Sequence, residues 1–479
     1  MSLVGLIARD ELRLMGRNRV AVIAFALLVL LTLAAVASSW SHHRAVTQLR
    51  ARQQHTAEAA FDAQPDRHPH RMVHYGTFIY RPPAPLAAFD PGIDAFTGNS
   101  MFLEGHRQNT ANFGDVQQSS LLVRFGQLTP AFVLQVVAPL LLIFLGFGAL
   151  SRETERGTLR LLLLHGATRW QVVGGKLMAM GVVAVVAGLP ATLGLALIAA
   201  QHGAFVLPML VIVLGYSTYL ALWAVLIVLV SALVRHSRDA LLALVALWAV
   251  AIVLLPRVAP DIASAAVPLR NKLQTEVAIA RDLRTLGDTH NPDDPHYAAF
   301  KQATLRRYGV ARVEELPVNY KGVLAVEGER LTSELFDRYA AESFAAQGRQ
   351  NALVRAVGVL SPAIALRSLS MAAAGTDYAA HRRFLEQAEA YRYALVQRLN
   401  RMQAENVTYA ADVAQGADAD RRKRISGRNW GEMPDFAYRV PEGEALAAAA
   451  VPELLILSAW VALALMLLVY ATRRLGARR

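Results

Sequence analysis

Histidine is the side chain from which this sequence could most readily build a site of its own. His42, His43, His55, His68, His70, His74 and His106 all fall in one stretch between two apolar runs, and neutral imidazole is the commonest metal ligand. The triplet His68-Pro-His70 followed by His74 is the densest part of it. Selective sites usually add carboxylates or a helical i, i+4 pair, so the expectation is a solvated, weakly structured loop, with no metal assigned. Cysteine is absent, which removes thiolates as ligands or nucleophiles and leaves any large domain to hold together without disulfides. There is no Gly-x-x-x-x-Gly-Lys-Ser/Thr phosphate loop, and Val173-Gly-Gly-Lys176 lacks its spacing. Neither His-Glu-x-x-His nor Gly-x-Ser-x-Gly occurs. No catalytic residue and no cofactor is assigned, and the chain is read as a non-catalytic subunit.

A second constellation lies between two apolar runs: Ser151-Arg-Glu-Thr-Glu-Arg-Gly-Thr-Leu-Arg-Leu-Leu-Leu-Leu-His-Gly-Ala-Thr-Arg-Trp-Gln-Val-Val-Gly-Gly-Lys176. Thr158 is placed to cap a short helix after Gly157. Leu159 with Leu161 to Leu164 offers an apolar face for a partner's groove. Glu153, Glu155, Arg156, Arg160 and Arg169 would supply a charged rim that fixes orientation. The plainer alternative is an interfacial turn whose leucines lie against lipid.

The elements that must position these residues are membrane spans. The chain has 479 residues and is 54% hydrophobic, beyond what a soluble surface tolerates. A span needs about 20 apolar residues, and six stretches qualify: 20–40, 130–150, 172–200, 205–233, 240–256 and 451–471. The short segments 1–19, 151–176, 234–239 and 472–479 carry 15 Lys and Arg against 5 Asp and Glu. By contrast the loop 41–129 has 8 against 7, and residues 259–450 have 25 against 24. The positive-inside rule then puts both termini, the lead-in 1–19, the segment 151–171 and the tail 472–479 in the cytoplasm. Loop 41–129 and a large helical domain at 257–450 face the periplasm. The excess of basic residues marks topology and membrane lipid, and no nucleic acid is expected, because the charges are dispersed at membrane borders.

Within the spans Lys176, Arg257 and Glu453 stand only at borders, so the buried ionisable groups of an ion-coupled carrier are missing. Gln135, Thr192, Tyr216, Ser217, Thr218 and Tyr219 read as span-packing residues. Residues 3–15 mix apolar and charged positions, as an interfacial lead-in helix would. In the large loop, helices are expected at 262–286, 295–308, 323–357 and 377–407, with breaks at Asp288 to Asp294, Ser361-Pro362 and Gly375-Thr376-Asp377.

The pattern Glu155-Arg-Gly-Thr-Leu-x-x-Leu-Leu-x-x-Gly-Ala-x-Arg169, followed by Val-x-Gly-Lys176 at the third span, resembles the coupling segment of ABC exporter permeases of the ABC-2 class. Tyr75 to Gly98 and Ser361 to Arg392, with Ser370-Met-Ala-Ala-Ala-Gly-Thr-Asp377, resemble a branch of that class with large extracytoplasmic loops and an uncharacterised domain. One departure is Gly166-Ala167, where many relatives carry a proline. The resemblance implies an all-α polytopic protein of the bacterial inner membrane and a cytoplasmic ABC ATPase that binds ATP and Mg. It also implies a second permease chain, identical or a sister, and leaves room for a periplasmic partner. Carried onto this sequence, the ATPase-coupling residues are Glu153, Glu155, Arg156, Gly157, Thr158, Leu159, Leu162, Leu163, Arg169 and Lys176. The alternatives are a mechanotransmitter that moves no solute, and a membrane scaffold or receptor with no ATPase.

Overall fold

The computed structural model describes residues 2–112, 128–201, 203–416 and 418–475. The end of the tail, 476–479, and the stretch 113–127 of the first long loop lie outside the described residues. Among the described residues six helices are long and apolar enough to cross a membrane: Arg19–Asp62, Pro130–Glu155, Arg169–Ala200, Val206–Leu233, Ser237–Ala266 and Gly443–Arg474. Numbered in that order as spans one to six, they make an all-α polytopic membrane protein. By parity both chain ends leave the bundle on one face, the terminal face, and the two long loops leave on the other, where they build a head. The only strands among the described residues are β1 (Thr77–Tyr80) and β2 (Ser100–Leu103), paired antiparallel with Thr77 opposite Leu103.

Helix α1 (Leu3–Arg17) is separated from span one by Asn18, whose backbone closes α1 and whose side chain accepts from the N–H groups of Val20 and Ala21. α1 lies against span three at Gly175, where a Cβ would come within 2.6 Å of Ile7 Cγ2. Glycine there permits the close approach that small residues give packed membrane helices. Span one runs for 44 residues, roughly twice the crossing length, and its second half rises into the head. There Arg50 is buried and donates to the Arg81 carbonyl at 3.0 Å, while Gln54 accepts from the Tyr80 N–H at 2.8 Å.

Spans two and five contain π-helical turns at Val133–Val137 and Ala249–Leu254. Such turns free backbone carbonyls for other partners. Trp248 Nε1 donates to the Val136 carbonyl at 3.1 Å, and Ser361 Oγ to the Ala251 carbonyl at 2.7 Å. Three of the polar span residues join helices: Gln135 donates to Tyr216 Oη at 2.7 Å, and Tyr219 Oη to the Gln135 carbonyl at 2.9 Å, whereas Thr192 and Thr218 bond to carbonyls of their own helices.

The head contains α2 (Pro69–Tyr75) from the first loop. From the second loop come α4 (Lys272–Leu283), α5 (Ala298–Tyr308), α6 (Tyr320–Val357), α7 (Pro362–Ala374) and α8 (Tyr378–Asn406); α3, in the segment between spans two and three, is Thr158–Leu164. Pro268 ends the run expected to continue from 262 to 286, since proline bars the preceding residue from helix. α6 and α8 pair antiparallel, with Asn319 N donating to the Ala404 carbonyl and Tyr378 Oη to the Phe344 carbonyl. Phe61, Met72, Val73, Leu395, Leu399 and Trp430 form a core beneath α2. Arg392 is fully buried, bonded to Glu329 at 2.6 Å and to Glu389 at 2.7 Å.

One element departs from the reading of 257–450 as wholly outside the bundle. α7 packs among the spans: a Cβ at Gly215 of span four would lie 2.8 Å from Leu369, Tyr216 Oη donates to Ser370 Oγ at 3.1 Å, and Trp460 Nε1 of span six donates to the Val359 carbonyl at 3.0 Å. Tyr216, Ala251 and Trp460 sit well inside their helices, so the α6–α7 turn reaches deep into the bundle. At 13 residues α7 is too short to cross, and a search for span-length apolar runs passes over it.

Candidate coupling site

Span two ends in a backbone clamp. Ser231 Oγ of span four accepts from the N–H groups of Leu150 and Ser151 at 2.9 and 3.0 Å and lies 3.1 Å from Ser151 Oγ. After Glu155 the chain reverses at Gly157, whose φ of +74° is left-handed and costs glycine nothing. α3 follows, and Thr168 with Gln171 forms a capping box that starts span three.

Two charged residues of this segment turn inward, Lys176 and Glu153, while Arg152, Glu155, Arg156, Arg160 and Arg169 are exposed. Lys176 is buried, and its Nζ donates to Glu11 of α1 at 2.6 Å and to Glu153 at 3.0 Å. Glu153 also accepts from the Thr158 hydroxyl. Glu155 accepts from Ser237 N at 3.1 Å and Ser237 Oγ at 2.6 Å, which ties the segment to the start of span five. Arg169 donates to the Arg473 carbonyl at the end of span six. Arg156 and Gly157 are exposed.

Three assignments change. Thr158 does not cap α3: the cap position is Gly157, with no side-chain bond, and the hydroxyl is spent on Glu153. Glu153 is half-buried and anchored within the chain, whereas Glu155, though bonded to Ser237, stays exposed. Leu159 is buried, and Leu162 and Leu163 pack half-buried against the bundle core. The apolar residues that face outward are Leu161, 54% exposed, and Leu164, 72% exposed, beside exposed Arg160. Helical spacing explains the split, since 159, 162 and 163 share one face while 160, 161 and 164 share the other. Glu11, Ser231 and Ser237 were not picked out from the sequence, and each meets the segment from a distant part of the chain.

The histidines are placed otherwise than in a solvated loop. His42, His43 and His55 stay on span one. His68 caps α2, its Nδ1 accepting from His70 N at 3.1 Å, with Nε2 3.2 Å from Asp412. His70 and His74 meet His106 and His290 in one cluster. Burial first, and then the neighbouring imidazoles of His106, His74, His290 and His68, hold the pKa of His70 down to about 3. The i, i+4 spacing of His70 and His74 is the sequence signal for this cluster; His290, in the other loop, carries none.

Two family models match the chain, and they overlap at residues 272–291. Residues 272–439, most of the second loop of the head, match a domain of unknown function, DUF3526. No curated protein matches the chain. Residues 6–291 match the ABC-2 family transporter protein. That match takes in α1 from Leu6 onward, the first five spans and the segment between spans two and three, more than half of the whole, and on it the chain belongs to the ABC-2 transporter family.

Proposed function

We propose that this ABC transporter permease serves an ATP-driven exporter, and that α3 receives the stroke of a separate cytoplasmic ATPase subunit. The observation that carries the reading is the outward face of α3, where Leu161 and Leu164 stand exposed beside Arg160 on a helix whose opposite side is anchored. Two apolar side chains next to a basic one suit an apolar groove with an acidic edge. The anchors give a push somewhere to go: Lys176 leads to α1 and span three, Ser231 to span four and Glu155 to span five. ATP and Mg bind in the partner, and this chain contributes no catalytic group. The charge bias supports a terminal face in the cytoplasm of a bacterial cell and a head in the periplasm. A second permease chain, identical or a sister, completes the path, and substrate leaves outward.

The continuity between bundle and head supports a second reading. Span one extends into the head, the α6–α7 turn is wedged against spans five and six, and α7 itself packs on span four. Such a lever could work a periplasmic partner without moving a solute. The scaffold reading has no such support.

The test is the full chain carrying Leu164→Asp or Arg160→Glu, expressed with its ATPase. Both positions are exposed, so insertion and melting should match the parent, while the ATPase recovered with the permease should fall by about tenfold or more for the loss of about 1.4 kcal/mol or more of contact energy. Undiminished co-purification in both variants overturns the docking role of α3.

A further inference from the structure

Four imidazoles from three separate segments meet on the head, far from α3 in the chain. His70 and His74 lie one turn apart on α2, His106 in the turn after β2, and His290 in the connection between α4 and α5. Their ligand nitrogens all lie within 4.8 Å of one another. Nε2 of His70 is 3.2 Å from Nε2 of His74 and 3.3 Å from Nε2 of His290. An imidazole nitrogen is either a donor or an acceptor, with one position in the ring plane, so His70 Nε2 cannot satisfy both neighbours by hydrogen bonding. A cation between them satisfies all. The two His70 distances match a tetrahedral site, in which Zn–N bonds of about 2.0–2.1 Å separate the nitrogens by about 3.3 Å, and the remaining nitrogens, within 4.8 Å, would close onto the ion.

Two of the ligands, His106 and His290, are held from behind. His106 is the only non-glycine among the described residues with positive φ, at 60°. Its backbone N and its Nδ1 both face Glu329 Oε2 at 3.3 Å, which leaves Nε2 with no protein partner. A strained residue that aims a side chain is a reason to look for function. Glu329 is in turn fixed by buried Arg392. His290 Nδ1 lies 3.1 Å from Asp288 Oδ1, which turns its Nε2 to the cluster. Carboxylates behind imidazoles set the tautomer and orientation of metal-binding histidines. Gly328 of α6 seats the loop that carries His290, because a Cβ there would lie 2.0 Å from Thr289 Cγ2. A cavity of about 490 Å³ lined in part by His68, His70, Thr289 and His290 gives access from solvent.

We propose that His70, His74, His106 and His290 hold one resident zinc-type divalent ion in a tetrahedral site that staples the two loops of the head together. Four protein ligands leave no open position for a substrate, which marks the site as structural.

The test uses the full chain purified in detergent without a histidine tag, stripped with chelator, and titrated with Zn²⁺; Co²⁺ reports geometry through its visible absorption. One ion per chain should bind, Co²⁺ should give the intense bands of a tetrahedral site, and saturating Zn²⁺ should raise the melting midpoint by about 5 °C or more. His74→Ala and His290→Ala, both at exposed positions, should weaken Zn²⁺ binding by at least a hundredfold, while His55→Ala on span one should leave it unchanged. Melting of each variant in chelator reports whether it folds. No stoichiometric binding, binding indifferent to the His74 and His290 substitutions in folded variants, weak octahedral Co²⁺ absorption, or binding without stabilisation would each overturn the proposal.

Discussion

Replacing Lys176 by methionine isolates the node on which the segment between spans two and three hangs. Lys176 is 4% exposed and Glu11 7% exposed, and the lysine is 2.6 Å from Glu11 and 3.0 Å from Glu153. Lys176→Met keeps the apolar stem but leaves Glu11 buried without its cation and facing a second carboxylate. Breaking a buried ion pair from one side costs about 3–5 kcal/mol, a large part of a total stability of about 5–15 kcal/mol. At about 2–4 °C per kcal/mol the melting midpoint in detergent should fall by roughly 10 °C. Glu11→Gln in the same chain removes the orphaned charge, so the double variant should recover part of the loss, with a coupling of about 0.5–3 kcal/mol. Melting of the wild type, both single variants and the double variant completes the cycle. A Lys176→Met chain that melts with the wild type, or a double variant less stable than Lys176→Met alone, would refute the assignment of this lysine as the buried pin between α1, span three and the segment before α3.

Gly175→Val should push α1 off span three, because its side chain would occupy the space of Ile7; overpacking predicts a loss of about 1–3 kcal/mol, read as a lower midpoint and faster proteolysis near Asn18. Burial raises the pKa of Asp90, whose Oδ1 accepts from Gly92 N at 3.0 Å. A carboxyl so raised favours the folded head most below its ordinary value and loses that contribution as pH rises through the raised one. Asp90→Asn keeps the acceptor and should melt higher than wild type at pH 8, with the difference vanishing in acid. His381 in α8 is lowered to about 4, chiefly by burial and secondarily by Arg81. Its neutral form is favoured in the fold, so stability present above pH 6.5 is lost as pH falls toward 4, by at most about 3 kcal/mol. In His381→Gln the melting midpoint should fall less steeply over that window than in wild type.

How much of this was legible in the sequence depends on whether a feature is local. The six spans are written in runs of apolar residues, and Gly157 with Thr158 and Arg169 marked the segment between spans two and three. The two faces of α3 were also written there, in the i, i+3 pairing of Leu161 with Leu164, but an unbroken run of leucines hides its own periodicity. What the sequence could not display is chain-distant pairing. Glu11 is 165 residues from Lys176, and His290 is 220 from His70. No local pattern forecasts that either pair will meet. α7 escaped for another reason: its alanines and leucines satisfy a helix in a soluble head as well as one wedged among spans, and only Gly215, Ala251 and Trp460 on the other side decide between them.

The central claim, that the exposed face of α3 is a cytoplasmic handle gripped by an ATP-hydrolysing partner, is tested most directly by a single cysteine at its tip. The native chain has none, so Leu164→Cys is a unique label. In intact cells it should resist a membrane-impermeant maleimide, and in inverted membranes a cysteine-directed cross-linker should join it to a soluble nucleotide-hydrolysing subunit. Labelling from outside intact cells, or inverted membranes in which Leu164→Cys joins no such subunit, would contradict the account.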